Sequence, residues 1–358
     1  MSNTQPTVPA APLNYRSRVR EALGAISDTL GTPALRMYVR QMLSLLDRSE
    51  VFQLPEDGLS LGEMPMYDFA KLDLYGRLPF PVVAIEFRMS GKKPVFRDAP
   101  VVTSRRFAIA VDLMTPELLS LARAMFPGGI ALATSILDGL SEHAGRLDAF
   151  LLLPIDSIEG DHAVEMRAAG LAPEQCWIPG WAAAVVPYRQ GGAGRPYRPA
   201  EVSGDAIVVE GEMTELVVKA AHFRTPLGLE LHETPGTLDD DARFALDYAS
   251  ELGAATALVA ALSCSNIETE KILAPPKLNK ARVARGKPGI PDFHMLVVKN
   301  RGARGEALDC GQSGRAPVRT HVRRGHVRRL ESGPIWINSA LVNPQGQGGV
   351  ARKSYQVG

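Results

Sequence analysis

Pro81-Val-Val-Ala-Ile-Glu-Phe-Arg88 and Arg105-Arg-Phe-Ala-Ile-Ala-Val-Asp112 decide the fold. Both are short, rich in β-branched residues and bounded by Pro or Gly, the pattern of strands. Working outward, Ala149–Ile155, Trp181–Tyr188, Asp205–Glu210, Asp292–Lys299 and Pro334–Asn338 read as further strands, the last followed by Ala340-Leu-Val and a glycine-rich tail.

The chain upstream is helical. Val19, Leu23, Ile26 and Leu30 form one stripe over Tyr15–Leu30, with Gly31 as a stop. Thr32-Pro33 opens a second helix, with proline at its first position and Leu35, Val39, Met42, Leu43 and Leu46 on its apolar face. Thr115 is a good cap before Pro116. Asp239–Ser263 is the strongest helix: three aspartates at its start suit the helix dipole, and apolar residues fill its C-terminal half. There is no internal repeat and no regular βαβ alternation. The expectation is α+β: an N-terminal helical hairpin, a mixed α/β body and a basic, β-rich C-terminal module.

Charge sets the expected boundaries. Lys271–Leu330 holds fifteen Lys/Arg against Asp292, Glu306 and Asp309, a net +12; since the chain totals +1, the rest carries −11. At 358 residues the chain exceeds what one core usually serves. The expected divisions are a disordered leader (1–13), an acidic α+β domain (14–264) and a basic module (265–358). Ala274–Pro291 is too broken by proline for a long helix. Leu54–Arg77 reads as loop-rich, and Asn300–Pro317 as a long mobile loop.

Several function classes drop out. Cys176, Cys264 and Cys310 are far apart with no CxxC pair, against a disulfide framework or zinc ribbon. No Walker loop, GxSxG, HExxH or GxGxxG occurs, and Gly191–Pro196 is read as a loop. No cofactor or metal is expected. Met1–Pro12 has no apolar signal core and no 18-residue apolar run exists, so a cytoplasmic protein with no membrane partner is expected. His143, His162, His222 and His232 are scattered and read as structural; Trp177, Trp181 and Trp336 read as core or interface anchors.

Thr320-His-Val-Arg-Arg-Gly-His-Val-Arg-Arg-Leu330 concentrates the chemistry. In a helix His321 and His326 would lie roughly 140° apart, and an uninterrupted strand would put them on opposite faces. A bulge or turn at Gly325 restores one face for His321, Arg323, His326 and Arg328, with Val322 and Val327 turned to the core. Guanidinium forks suit phosphate. The candidate nucleic-acid contacts are Arg319, His321, Arg323, Arg324, His326, Arg328 and Arg329, with Lys280, Arg282, Arg285 and Lys287 extending the field. The bland alternative is a solvated basic face resting on the acidic body. A third reading takes His321 and His326 as acid and base of a metal-independent ribonuclease.

His321-Val-Arg-Arg-Gly-His-Val-Arg-Arg-Leu330, followed by Gly333 and Trp336-Ile-Asn338, resembles the closing motif of a broad group of phage, prophage and plasmid proteins. That group includes a type V-A anti-CRISPR protein acting on biosynthesis of the effector nuclease. Leu278-Asn-Lys280, Gly286-Lys-Pro288 and Phe293-His-Met-Leu296 are similar to a segment just upstream. The resemblance implies a mobile-element origin and carries over no catalytic residue. Charge split and resemblance together give the expected function: a counter-defence or regulatory binding protein. Its basic module would contact RNA or a ribosome-associated complex, and its body a host defence protein or nascent peptide. The remaining alternative is a phage structural or assembly protein.

Overall fold

In the computed structural model of the chain, the described residues are 12–27, 30–58, 76–89, 105–137, 139–157, 177–188, 206–209, 220–226, 240–299, 321–323, 326–337 and 340–342. The expected disordered leader (but for residues 12 and 13), the loops at 191–196 and 300–317, most of the 54–77 loop, and His162, His232, Asp239, Cys176 and Cys310 lie outside them.

The helical hairpin is present as α1 (Tyr15–Ser27) and α2 (Pro33–Arg48). Thr32 caps α2, its side chain accepting the Leu35 N–H at 3.3 Å, and Pro33 fills the first turn, where its missing N–H costs nothing. Leu30 falls beyond α1, which ends at Ser27. The strands that follow are β1 (Glu50–Gln53), β2 (Val82–Arg88) and β3 (Arg105–Asp112), then helices α3 (Pro116–Met125) and α4 (Gly129–Ile136). Thr115 precedes α3, but its side chain makes no capping bond; its carbonyl accepts from Leu118 and Leu119 instead. The tight turn before it is held by Asp112, whose carboxylate accepts the Met114 N–H at 3.1 Å.

The chain continues through β4 (Glu142–His143), β5 (Arg146–Leu147), β6 (Ala149–Ser157), β7 (Trp177–Pro179), β8 (Ala182–Pro187), β9 (Ala206–Val209) and β10 (Ala220–Arg224). Next come α5 (Asp240–Leu262), β11 (Ile267–Ile272), α6 (Pro276–Val283) and β12 (Phe293–Val298). Four short strands close it: β13 (His321–Arg323), β14 (His326–Leu330), β15 (Gly333–Ile337) and β16 (Ala340–Val342).

Ten strands form one mixed sheet in the order β11-β12-β1-β2-β3-β6-β8-β10-β9, with β7 paired to β6. β1 runs parallel to both β12 and β2, and the other described pairings are antiparallel. The fold is α+β, with helices on both sheet faces. Alternation along β2 explains the two layers: Val82 and Ala84 point into the core beneath α1–α4, while Val83, Ile85 and Phe87 point into the core beneath α5. A strand buried on both faces must be apolar at nearly every position, as β2, β3 and β6 are. The C-terminal half of α5 is buried nearly all round, from Leu252 through Ala261, because the sheet covers one side and part of the C-terminal region covers another. Trp177, Trp181 and Trp336 are all buried, as their expected anchoring role requires.

The expected boundary at 264/265 falls inside this architecture. β11 and β12 lie on its far side, yet they extend the same sheet, with His294 of β12 in register with Phe52 of β1.

Among the described residues no single helix is long and apolar enough to cross a membrane; α3 and α4 reach that composition only as a pair bent by 109°. Leu118, Leu119, Ile130 and Ala133 of that pair are buried in the core beneath α1–α4.

Candidate functional site

Among the described residues, two parts of the basic segment sit at opposite ends of the β11–β12 ribbon. Ile272 pairs with Phe293 at the end where α6 is inserted, and Ile267 pairs with Val298 at the other. The strand's six residues, five steps from end to end, separate the ends by about 17 Å. At the Ile267 end, Ser265 N–H donates to the Pro334 carbonyl at 2.9 Å. Asn266 binds both the N–H and the carbonyl of Trp336, each at 2.7 Å. These contacts fix the β14–β15 hairpin, whose Val327 and Trp336 pack with Ala257, Ala260, Ala261 and Cys264. Burial pushes the Cys264 thiol up to about 11, so it behaves as a packing group and not a nucleophile.

This hairpin shows part of the expected pattern. Val327 is turned inward, while Arg328, Arg329 and Leu330 are exposed. The expected break at Gly325 lies between β13 and β14, but the two strands then take different partners. His321 is in register with Val342 of β16, and His326 with Ile337 of β15. The side chains of His321, Arg323 and His326, and all of Arg319 and Arg324, lie outside the described residues.

The second unit carries Lys280, Arg282, Arg285 and Lys287. α6 ends in a turn closed by Gly286, whose φ of 66° is a left-handed value that favours glycine. Asn279 clamps the return chain, its Oδ1 accepting the Ile290 N–H at 2.7 Å and its Nδ2 donating to the Ile290 carbonyl at 2.9 Å. Arg282 is committed here too, its Nε donating to the Pro288 carbonyl at 2.9 Å. The unit meets α1 through Ser17 Oγ, which donates to the Gly289 carbonyl at 2.7 Å. Lys280, Arg285 and Lys287 are exposed, and no carboxylate among the described residues lies within ion-pair distance of them or of Arg328. The six candidate contacts whose side chains are described therefore do not form one field. Arg328 and Arg329 sit by the α5 layer, while Lys280, Arg282, Arg285 and Lys287 sit by the α1 layer at the other end of the ribbon.

Sequence reasoning missed the groups that hold these units in place. Asn266 was given no role by the sequence. Asn279, Gly286 and Pro288 lay within the motif segments, and each now has a structural role. His294 lay within a motif segment too, with no role assigned to it. Its Nε2 lies 3.2 Å from Glu50 Oε2, and its ring stacks on Phe52 with centroids 5.1 Å apart. Lys271 Nζ approaches the same Glu50 oxygen at 3.8 Å and Asp292 at 4.0 Å. This cluster ties β11 and β12 to β1. Among the described residues, no group of three or more His, Cys, Asp or Glu could hold a metal ion.

Two further polar groups are buried inside the body. Arg106 Nη1 and Glu251 Oε1 pair at 3.1 Å beneath α5. Glu86, under α1, accepts the Arg16 N–H at 2.6 Å, and burial pushes its carboxyl up to about 7 against the opposing pull of the helix N–H groups. His222 is also buried and is held neutral, its pKa lowered to about 3.

No family model, no curated protein and no solved structure matches the chain.

Proposed function

We propose that the chain is an RNA-binding protein whose contact surface is the β14–β15 hairpin. The observation that carries this reading is the pairing of an anchored inner face with a cationic outer one. Val327 and Trp336 are buried against the end of α5, so Arg328, on the opposite face of β14, projects from a strand held in place, with Arg329 exposed beside it. Guanidinium groups displayed on a fixed strand are suited to phosphate oxygens, and ordering them beforehand lowers the entropic cost of binding. The resemblance of 321–338 to proteins of phages, prophages and plasmids supports a cytoplasmic counter-defence or regulatory role, with RNA or an RNA-containing translation complex as target.

The test is fluorescence anisotropy of a labelled single-stranded RNA with the full chain and with Arg328→Ala/Arg329→Ala. The double variant is expected to bind at least tenfold more weakly. The wild-type affinity should fall with added salt, as counterion release requires. Equal affinity of the two proteins, or binding indifferent to salt, overturns the reading.

A further inference from the structure

We propose that α6 and the turn after it form the docking surface for an acidic protein segment that carries aliphatic or aromatic anchors. This inference does not rest on the RNA reading, because the two surfaces lie at opposite ends of the β11–β12 ribbon.

α6 buries none of its eight residues. A helix this short is unstable alone, and no core holds this one. Its shape comes from the Asn279 clamp, the Arg282–Pro288 bond, the Lys287 N–H donated to the Arg282 carbonyl and the left-handed Gly286. A polar scaffold thus maintains a helix and turn that contribute nothing to the hydrophobic core.

What the unit displays is apolar and cationic together. Leu273, Leu278 and Val283 are 69%, 44% and 64% exposed, and they account for three of the five large exposed hydrophobic residues among those described. Lys277, Lys280, Arg285 and Lys287, all exposed, are interspersed with them along the chain, and Leu278 and Val283 lie roughly 140° apart around α6, so a partner meets both only by wrapping the helix. Between the turn and α1 runs a groove of about 540 Å³ lined by Ser17, Glu21, Val283, Lys287, Pro288 and Gly289. Charge complementarity calls for carboxylates on the partner, and the interleaved Leu and Val call for apolar side chains among them. A surface for single-stranded RNA would offer aromatic rings for base stacking; residues 273–290 contain no Phe, Tyr or Trp. A protein segment is the occupant that uses both halves of this surface.

The experiment pans a random displayed-peptide library on the full chain and titrates the best recovered peptide, synthesised and labelled, by anisotropy. The expected peptides combine Asp or Glu with at least one Leu, Ile, Phe or Trp. Binding should weaken at least tenfold both in Leu278→Asp/Val283→Asp and in Lys280→Glu/Lys287→Glu. A peptide with its acids changed to lysine should regain affinity for the charge-reversed variant, a rescue that misfolding cannot produce. These positions are exposed, so circular dichroism melting should match wild type; if one variant fails to fold, the other decides. Failure to recover a consensus, peptides without acids, or binding unchanged in both variants overturns the proposal. Displacement of the peptide by single-stranded RNA also overturns it, by making α6 part of a nucleic-acid surface.

Discussion

Asn266 grips Trp336 by both backbone polar groups, donating through Nδ2 to its carbonyl and accepting its N–H at Oδ1, each at 2.7 Å. The side chain thereby does what a neighbouring strand would do, and it joins the turn after α5 to β15. Asn266→Ala removes both bonds, a loss of about 1–3 kcal/mol at the usual worth of a hydrogen bond. Hydrogen exchange followed by mass spectrometry should show faster exchange over 326–337 with the protection of β2, β3 and β6 unchanged. RNA affinity should fall with it, since Arg328 and Arg329 then project from a loosened ribbon.

Arg106 and Glu251 form a buried ion pair, their side chains 8% and 2% exposed. Removing one partner strands a charge beneath α5, which typically costs about 3–5 kcal/mol. Glu251→Leu alone should lower the urea midpoint strongly, and Arg106→Met/Glu251→Leu together should recover most of the loss. A double variant no more stable than the single one would show that the pair is not the unit of stability.

Glu86 sets a pH dependence whose sign follows from its raised pKa. The folded state holds the proton more tightly than the unfolded chain, so its contribution is present below the ordinary carboxyl range and is lost as pH rises towards about 7. His222 works in the opposite sense: its lowered pKa adds stability above the ordinary imidazole range, lost as pH falls towards about 3. Wild type measured against Glu86→Gln isolates the first effect. The difference in melting temperature should move steadily in favour of the Gln variant between pH 5 and pH 7.5.

Gly76 faces the backbone of α5, where a Cβ would lie 1.8 Å from the Val259 carbonyl oxygen. Backbone cannot rotate out of the way as a side chain can, so Gly76→Ala must push α5 off the sheet. Overpacking of this kind costs about 1–3 kcal/mol or more. The expected outcome is a clear drop in melting temperature, in contrast to Gly31→Ala, where the added carbon meets nothing within 4 Å.

Much of the fold was legible from local patterns because its central strands are buried on both faces. β2, β3, β6 and β8 are apolar runs of a length only strands use, and α2 and α5 carry helix signals strong enough to survive without context. β10, Ala220–Arg224, has little β-branched character; it is a strand because β8 and β9 flank it, a tertiary effect. β11 was hidden for another reason. Glu268, Thr269, Glu270 and Lys271 are exposed, as suits the outermost strand of a sheet, where charge discourages further pairing. The candidate site was legible as residue types but not as places. Charges contiguous in sequence are parted in space because an antiparallel ribbon carries one group at its turn and anchors the other at its far end. No composition or periodicity signal reports that separation.

The most direct test of the central claim is ultraviolet crosslinking of single-stranded RNA to the full chain, followed by mass-spectrometric mapping of the modified peptides. Crosslinks should fall within 321–337 and disappear in Arg328→Ala/Arg329→Ala. Crosslinks confined to α1, α2 and the central strands, or none above background, would contradict the assignment of the β14–β15 hairpin as the RNA surface.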